Sequence, residues 1–154
     1  MKNTRISVLF LLAFVLATTT VSAQTSTVKD MMQLSISKIK ASSDAGRVTE
    51  KTFSDVFFRN DTSKLNCIFY HRFSSSNTYR ITAFGLSDKI ETINVYVCHK
   101  DNGNWNIVAK NTMTGSDINF KFIPQVGGSY GLIVKGTLKS DVNNALFNVI
   151  IDRD

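Results

Sequence analysis

From Ile118 to Val134 the chain reads Ile-Asn-Phe-Lys-Phe-Ile-Pro-Gln-Val-Gly-Gly-Ser-Tyr-Gly-Leu-Ile-Val, the stretch that most narrows the folds open to it. Ile118, Phe120 and Phe122 alternate with Asn119 and Lys121, the period of a strand with one buried face. Pro124 removes a backbone donor and ends the run, and Gly127-Gly128 offers the backbone freedom a reversal needs. Tyr130, Leu132 and Val134 then restart the alternation. The spacing predicts a hairpin here.

The same alternation recurs along most of the chain. Thr52–Phe58 is a short apolar strand. Lys64–Phe73 carries Leu65, Cys67, Phe69, His71 and Phe73 on one face and Ile68 and Tyr70 on the other. Thr78–Phe84 places Tyr79, Ile81 and Ala83 in phase, and Glu91–His99 does so with Ile93, Val95 and Val97. Asn102-Gly103 is the clearest turn, because both residues tolerate a left-handed backbone, and Trp105–Lys110 pairs back across it. Gly136–Asn144 reads as a polar loop, and Ala145–Ile151 closes the chain with alternate apolar residues. About eight short strands without intervening helices predict a mainly β chain, an antiparallel β-sandwich of jelly-roll type.

The N-terminal part differs. Lys2 and Arg5, the apolar run Ile6–Leu16 and Val21-Ser22-Ala23 have the form of a signal peptide cut after Ala23. The expected product, Gln24–Asp154, is periplasmic or extracellular, with no cysteine at the cut to take a lipid anchor. No later apolar run approaches the roughly 18 residues of a membrane span. Val28, Met31, Met32, Ile36 and Ile39 fall near helical spacing, predicting one N-terminal helix that lays this stripe on the sandwich. Leu34-Ser35-Ile36 also permits a strand. The expected division is a signal peptide over 1–23, helix and loop over 24–46 and the sandwich over 47–154.

Of 18 basic residues, 16 remain without Lys2 and Arg5, against 12 acidic ones, a net charge of +4. The basic residues form no run, and an exported chain does not meet nucleic acid. No Gly-x-Ser-x-Gly, His-Glu-x-x-His or Cys-x-x-Cys occurs. No catalytic residue, cofactor or metal is therefore expected. His71 reads as a hydrogen-bonded histidine at the core edge or an interface; a small hydrolase using His71 or His99 with a carboxylate brought near by folding, and a structural or assembly protein that docks its N-terminal helix or an edge strand on a partner, are the alternatives. Cys67 and His71 share a face but stand about 13 Å apart along a strand, too far for a zinc ion with ligands at about 2.0–2.3 Å. Asp101-Asn102-Gly103-Asn104 holds one carboxylate, short of a calcium shell, and reads as a turn.

Cys67 and Cys98 lie in an expectedly oxidising compartment, so a disulfide between them is permitted. Closing that loop contributes about 3–4 kcal/mol in the chain-entropy model. The strand phases put Cys67 inward and Cys98 outward, which opposes the bond unless a bulge or a reversed phase intervenes.

The segments Asn77-Thr-Tyr-Arg-Ile81, Ile93-Asn-Val-Tyr-Val97, the Asn-Gly turn, Phe120-Lys-Phe-Ile-Pro124 and Gly128-Ser-Tyr130 resemble the bacterial pre-peptidase C-terminal domain family. The resemblance covers roughly Phe53–Ile151 and implies a secreted jelly-roll sandwich, usually a non-catalytic accessory of an enzyme. Where that family carries an Asp-rich stretch, this chain reads Ser87-Asp-Lys-Ile-Glu-Thr92, with Lys89 between the acids, so a calcium role is not carried over.

With the apolar phases inward, the outward residues Arg80, Thr82, Asn94, Tyr96, Asn119, Lys121 and Lys135 form the candidate binding surface. Arg80, Asn94, Tyr96, Lys121 and Lys135 are its principal members. Its expected ligand is a glycan, an envelope component or a secreted protein. Trp105 is read as an anchor at the rim of the core.

Overall fold

The computed structural model describes residues 27–59 and 66–154; the signal-peptide reading over 1–23 lies outside them. The chain divides into two units, residues 1–34 and 35–154. Of the first, only residues 27–34 are described, and they are helical. The helix α1 spans 27–44 in all, so the helical expectation holds over the strand alternative. It stops where Gly46 takes a φ of 76° and its amide caps Ser43 O.

Eight strands follow: β1 (Val48–Phe58), β2 (Asn66–Phe73), β3 (Tyr79–Gly85), β4 (Ile90–Asp101), β5 (Asn104–Lys110), β6 (Asp117–Phe122), β7 (Gly128–Leu138) and β8 (Asn144–Arg153). They form two four-stranded sheets, β1-β8-β3-β6 and β2-β7-β4-β5. Every pairing is antiparallel. First pairs with last, second with seventh, third with sixth and fourth with fifth, the order of one long ribbon rolled over itself. That is a jelly roll.

The alternation read in the sequence supplies the lining between the sheets. Phe57, Ile81, Phe147 and Ile151 from one sheet meet Ile93, Val95, Leu132 and Val134 from the other, all of them fully buried. The β4–β5 turn has φ of 49° at Asn102 and 86° at Gly103, both left-handed as the sequence required.

Three expectations are corrected. β6 and β7 are not a hairpin: β6 pairs with β3 and β7 with β2 and β4. The Pro124-containing link carries the chain from one sheet to the other, so Phe122 and Tyr130 meet across the core with ring centres 5.6 Å apart. The loop expected from Gly136 begins only after Leu138. Gly136 sits inside β7 because the ring of Phe57 occupies the space of a side chain there. Third, the part of α1 that belongs to the second unit does not lay its apolar residues on the sandwich: Ile36 and Ile39 are exposed. Polar residues face the β1-β8-β3-β6 sheet instead: Asn148 Nδ2 donates to Ser35 Oγ at 2.5 Å, and Lys38 Nζ meets Asp117 Oδ2 at 2.6 Å. Lys38 Nζ also lies 5.1 Å from the centre of the Phe84 ring on that sheet.

Candidate functional site

The outer face of the β2-β7-β4-β5 sheet carries the candidate site. The strand register puts Tyr70, Gly131, Cys98 and Ile107 in one row, and Ile68, Ile133, Tyr96 and Lys110 in the next. Gly131 and Cys98 are small, so the first row has a dip at its centre. Trp105, thrown outward just after the Asn-Gly turn, reaches across β4 into that dip. Its ring carbons lie 3.5 and 3.7 Å from where a Gly131 Cβ would stand, and its centre is 5.9 Å from the Tyr70 ring. Trp105 is nonetheless 48% exposed, with Tyr70 at 59%, Ile68 at 56% and Ile107 at 61%. Trp105 is therefore not a rim-of-core anchor but the middle of an open apolar patch. Four large apolar side chains this exposed on one face exceed ordinary surface scatter. Asn94, Tyr96 and Lys135 border it, with Lys135 Nζ 5.5 Å from the centre of the Tyr96 ring.

The five principal sequence-predicted residues do not form one surface. Asn94, Tyr96 and Lys135 belong to this sheet, whereas Arg80 and Lys121 are register partners on the outer face of the other sheet. The two groups lie on opposite sides of the sandwich. Arg80 Nη1 donates to Asn119 Oδ1 at 2.9 Å, and Thr82 also pairs with Asn119 in register. Period two tells inward from outward but not which sheet an outward residue belongs to. Trp105, Tyr70, Ile68 and Ile107 were legible as outward only once β5 and β2 had been assigned to the same sheet.

Folding does bring a carboxylate to His71. Its Nε2 lies 3.2 Å from Glu50 Oε2, and Glu50 Oε1 lies 3.1 Å from Arg153 Nη1. The contact ties β2, the edge of one sheet, to β1, the edge of the other. The carboxylate is shared between two basic groups, and His71 is the hydrogen-bonded core-edge histidine the sequence suggested. His99 and His71 flank Tyr130 in the register of the inner face, and the His99 ring lies tilted by 39° against Tyr130 with centres 4.5 Å apart. Among the described residues no three of His, Cys, Asp and Glu gather closely enough to hold a metal. No described helix is long and apolar enough to cross a membrane.

Cys67 and Cys98 are free thiols, so the permitted disulfide is not formed. Cys67 lies in the core cluster, while Cys98 shares the outward row of Gly131. Opposite faces of one sheet keep the sulfurs apart. Burial, then the charge of Asp55 and a hydrogen bond to its side chain, push the Cys67 thiol up to about 12. Burial also raises Cys98. Asp55 itself points along the inward phase of edge strand β1, a placement that discourages edge-to-edge association.

No family model and no curated protein matches the chain. Among solved structures it is similar to the pre-peptidase C-terminal domain of a collagenase from Bacillus anthracis, at 16% identity and a TM-score of 0.44, covering 66% of this chain and 87% of that one. It is similar to PliG of Aeromonas hydrophila, a periplasmic inhibitor of g-type lysozyme, at 10% identity and 0.44, covering 70% and 86%. A CBM4 structure matches at 13% identity and 0.42, covering 71% and 79%. The domain that the strand motifs resemble is among the solved structures similar to this chain, over 66% of its length.

Proposed function

We propose that the protein is an exported, non-catalytic binding module that holds a protein partner on the outer face of its β2-β7-β4-β5 sheet. The observation behind this reading is the Trp105 ring seated over Gly131 beside Tyr70 and left half open to solvent. A seated tryptophan gives up little side-chain entropy when a partner covers it. Its neighbours Ile68 and Ile107 are aliphatic, and Asn94, Tyr96 and Lys135 ring them, the apolar centre and polar rim of a protein interface. Lys100, the register partner of Trp105, adds a hydrogen-bonding group beside the ring, so the experiment sets a protein against a glycan on the same face. Immobilised protein challenged with secreted and envelope protein fractions, and in parallel with a glycan array, tests the reading. Capture of a protein should vanish in Trp105→Ala/Tyr70→Ser and persist in Arg80→Ala/Lys121→Ala. Capture indifferent to the first pair rejects the face; glycan binding abolished by Trp105→Ala makes it a sugar platform instead.

A further inference from the structure

A second recess lies away from that face, where β5 ends one sheet and β6 ends the other. The register of β5 slips by a residue as β4 passes from Val97 to Cys98, so Val108 is an extra, bulged residue. Bulges re-aim side chains, and here Val108 joins Ala109, Phe122, Ile123 and Val126 around a half-open cavity of about 630 Å³. Val108, Ile123 and Val126 stay 51%, 57% and 58% exposed, so the apolar walls are open to an occupant. The opposite wall is held in place, because the Tyr130 hydroxyl donates to Val126 O at 2.6 Å.

The polar groups around the recess are Lys121, Gln125 and His99. Among the described residues no carboxylate lines it, and Lys121 brings a positive charge. Neither Lys121 nor His99 takes part in an ion pair among the described residues. An apolar hollow with a few convergent polar groups is the usual form of a small-molecule site. Its volume suits a linear chain, and its charge suits an anion.

We propose that the β5–β6 seam binds a medium-chain apolar carboxylate, its chain lying along Val108, Phe122 and Val126 and its head group meeting Lys121. Gln125 offers the head group a neutral donor. The site is separate from the Trp105 face, so failure of either proposal leaves the other standing.

Titration calorimetry with decanoate, beside 1-decanol as the uncharged comparison, tests it on the intact protein. Decanoate should bind one to one and about fivefold tighter than decanol, the contribution of a partly exposed ion pair. Lys121→Gln should erase that preference without shifting the melting temperature, because Lys121 is exposed. Val126→Asp, also at an exposed position, should abolish decanoate binding. Backbone amide shifts on adding decanoate should centre on residues 108–109 and 121–126, and Trp105→Ala should leave affinity unchanged. Equal binding of decanol, a preference that survives Lys121→Gln, binding that survives Val126→Asp, loss of affinity in Trp105→Ala, or shifts centred on Ile68, Tyr70 and Ile107 would each overturn the assignment.

Discussion

Replacing Gly136 by alanine adds one methyl group at a crowded point of the sandwich. A Cβ built there falls 2.2, 2.4 and 2.6 Å from three carbons of the Phe57 ring. Carbons rest about 3.5–4.0 Å apart, so each overlap is about 1 Å or more. Phe57 cannot yield readily, since it is fully buried and stacked on Phe147 with centres 4.1 Å apart and planes 9° from parallel. Overpacking of this kind costs about 1–3 kcal/mol, and complete loss of the ring's packing would set a ceiling of about 3–5 kcal/mol. Alanine recovers about 0.5–1 kcal/mol because glycine is the poorer strand residue. With overlaps this severe the cost lies at about 3–4 kcal/mol, between the top of the overpacking range and that ceiling, so the net expectation is a loss of about 2–3 kcal/mol. At about 4 °C per kcal/mol for a domain of this size, melting falls by about 8–12 °C. Thermal unfolding followed by circular dichroism measures it. Gly131→Ala is the control: its Cβ meets Trp105 at an ordinary 3.5 Å, so melting should move by about 2 °C or less. Phe57→Leu in the Gly136→Ala background should cost less than the two changes added together. A Gly136→Ala protein that melts with the wild type would refute the placement of Phe57, and with it the facing of β1 on β7.

Other outcomes follow from single side chains. Asn111 is buried where β5 leaves its sheet; its Oδ1 accepts from Val95 N at 2.6 Å and its Nδ2 donates to Met113 O at 2.6 Å. Asn111→Leu should cost about 2–3 kcal/mol in urea unfolding by stranding those groups, and an unchanged midpoint would show them satisfied elsewhere. At pH 8 a thiol titrating near 12 exposes about one thiolate in ten thousand, so Cys67 should resist iodoacetamide in the native state. In guanidinium both cysteines should alkylate without prior reduction, and a requirement for reductant would contradict the free thiols. The folded state holds the Cys67 proton more tightly than the unfolded chain. Its contribution is therefore complete below pH 9.0 and is lost as pH rises toward about 12. Cys67→Ala should flatten that alkaline decline in melting temperature. Finally, His71→Ala should lower stability by removing the tie to Glu50; an ester or peptide hydrolysis activity lost with it would instead favour the hydrolase alternative.

Particular residues show how far the sequence reaches. Ile81, Val95 and Leu132 were readable as inward because a strand's side chains alternate and water drives the apolar set together. The Asn102-Gly103 turn was readable because its backbone demand is local. Trp105 was not, because whether its ring closes the core or lies open depends on Gly131, a residue two strands away and absent from its own neighbourhood in sequence. Glu50 is a further case: nothing near it hints at His71, which only the meeting of two sheet edges supplies. Ile36 and Ile39 carried the pattern of a buried stripe, yet the sheet beside them offered polar partners to Ser35 and Lys38.

What the amino-acid order determined alone is governed by nearest neighbours: the presence of the strands, the apolar side of those that have one, and the tight turn. What required the tertiary structure is which strand lies beside which. The strand alternation is the same whether β6 returns to β7 or crosses to the other sheet; the pairing of β6 with β3 and of β7 with β2 and β4, which sets Phe122 against Tyr130 across the core, separates the two. The open Trp105 patch and the β5–β6 recess both arise from that choice of neighbours, so neither has a signature within any one segment of the chain.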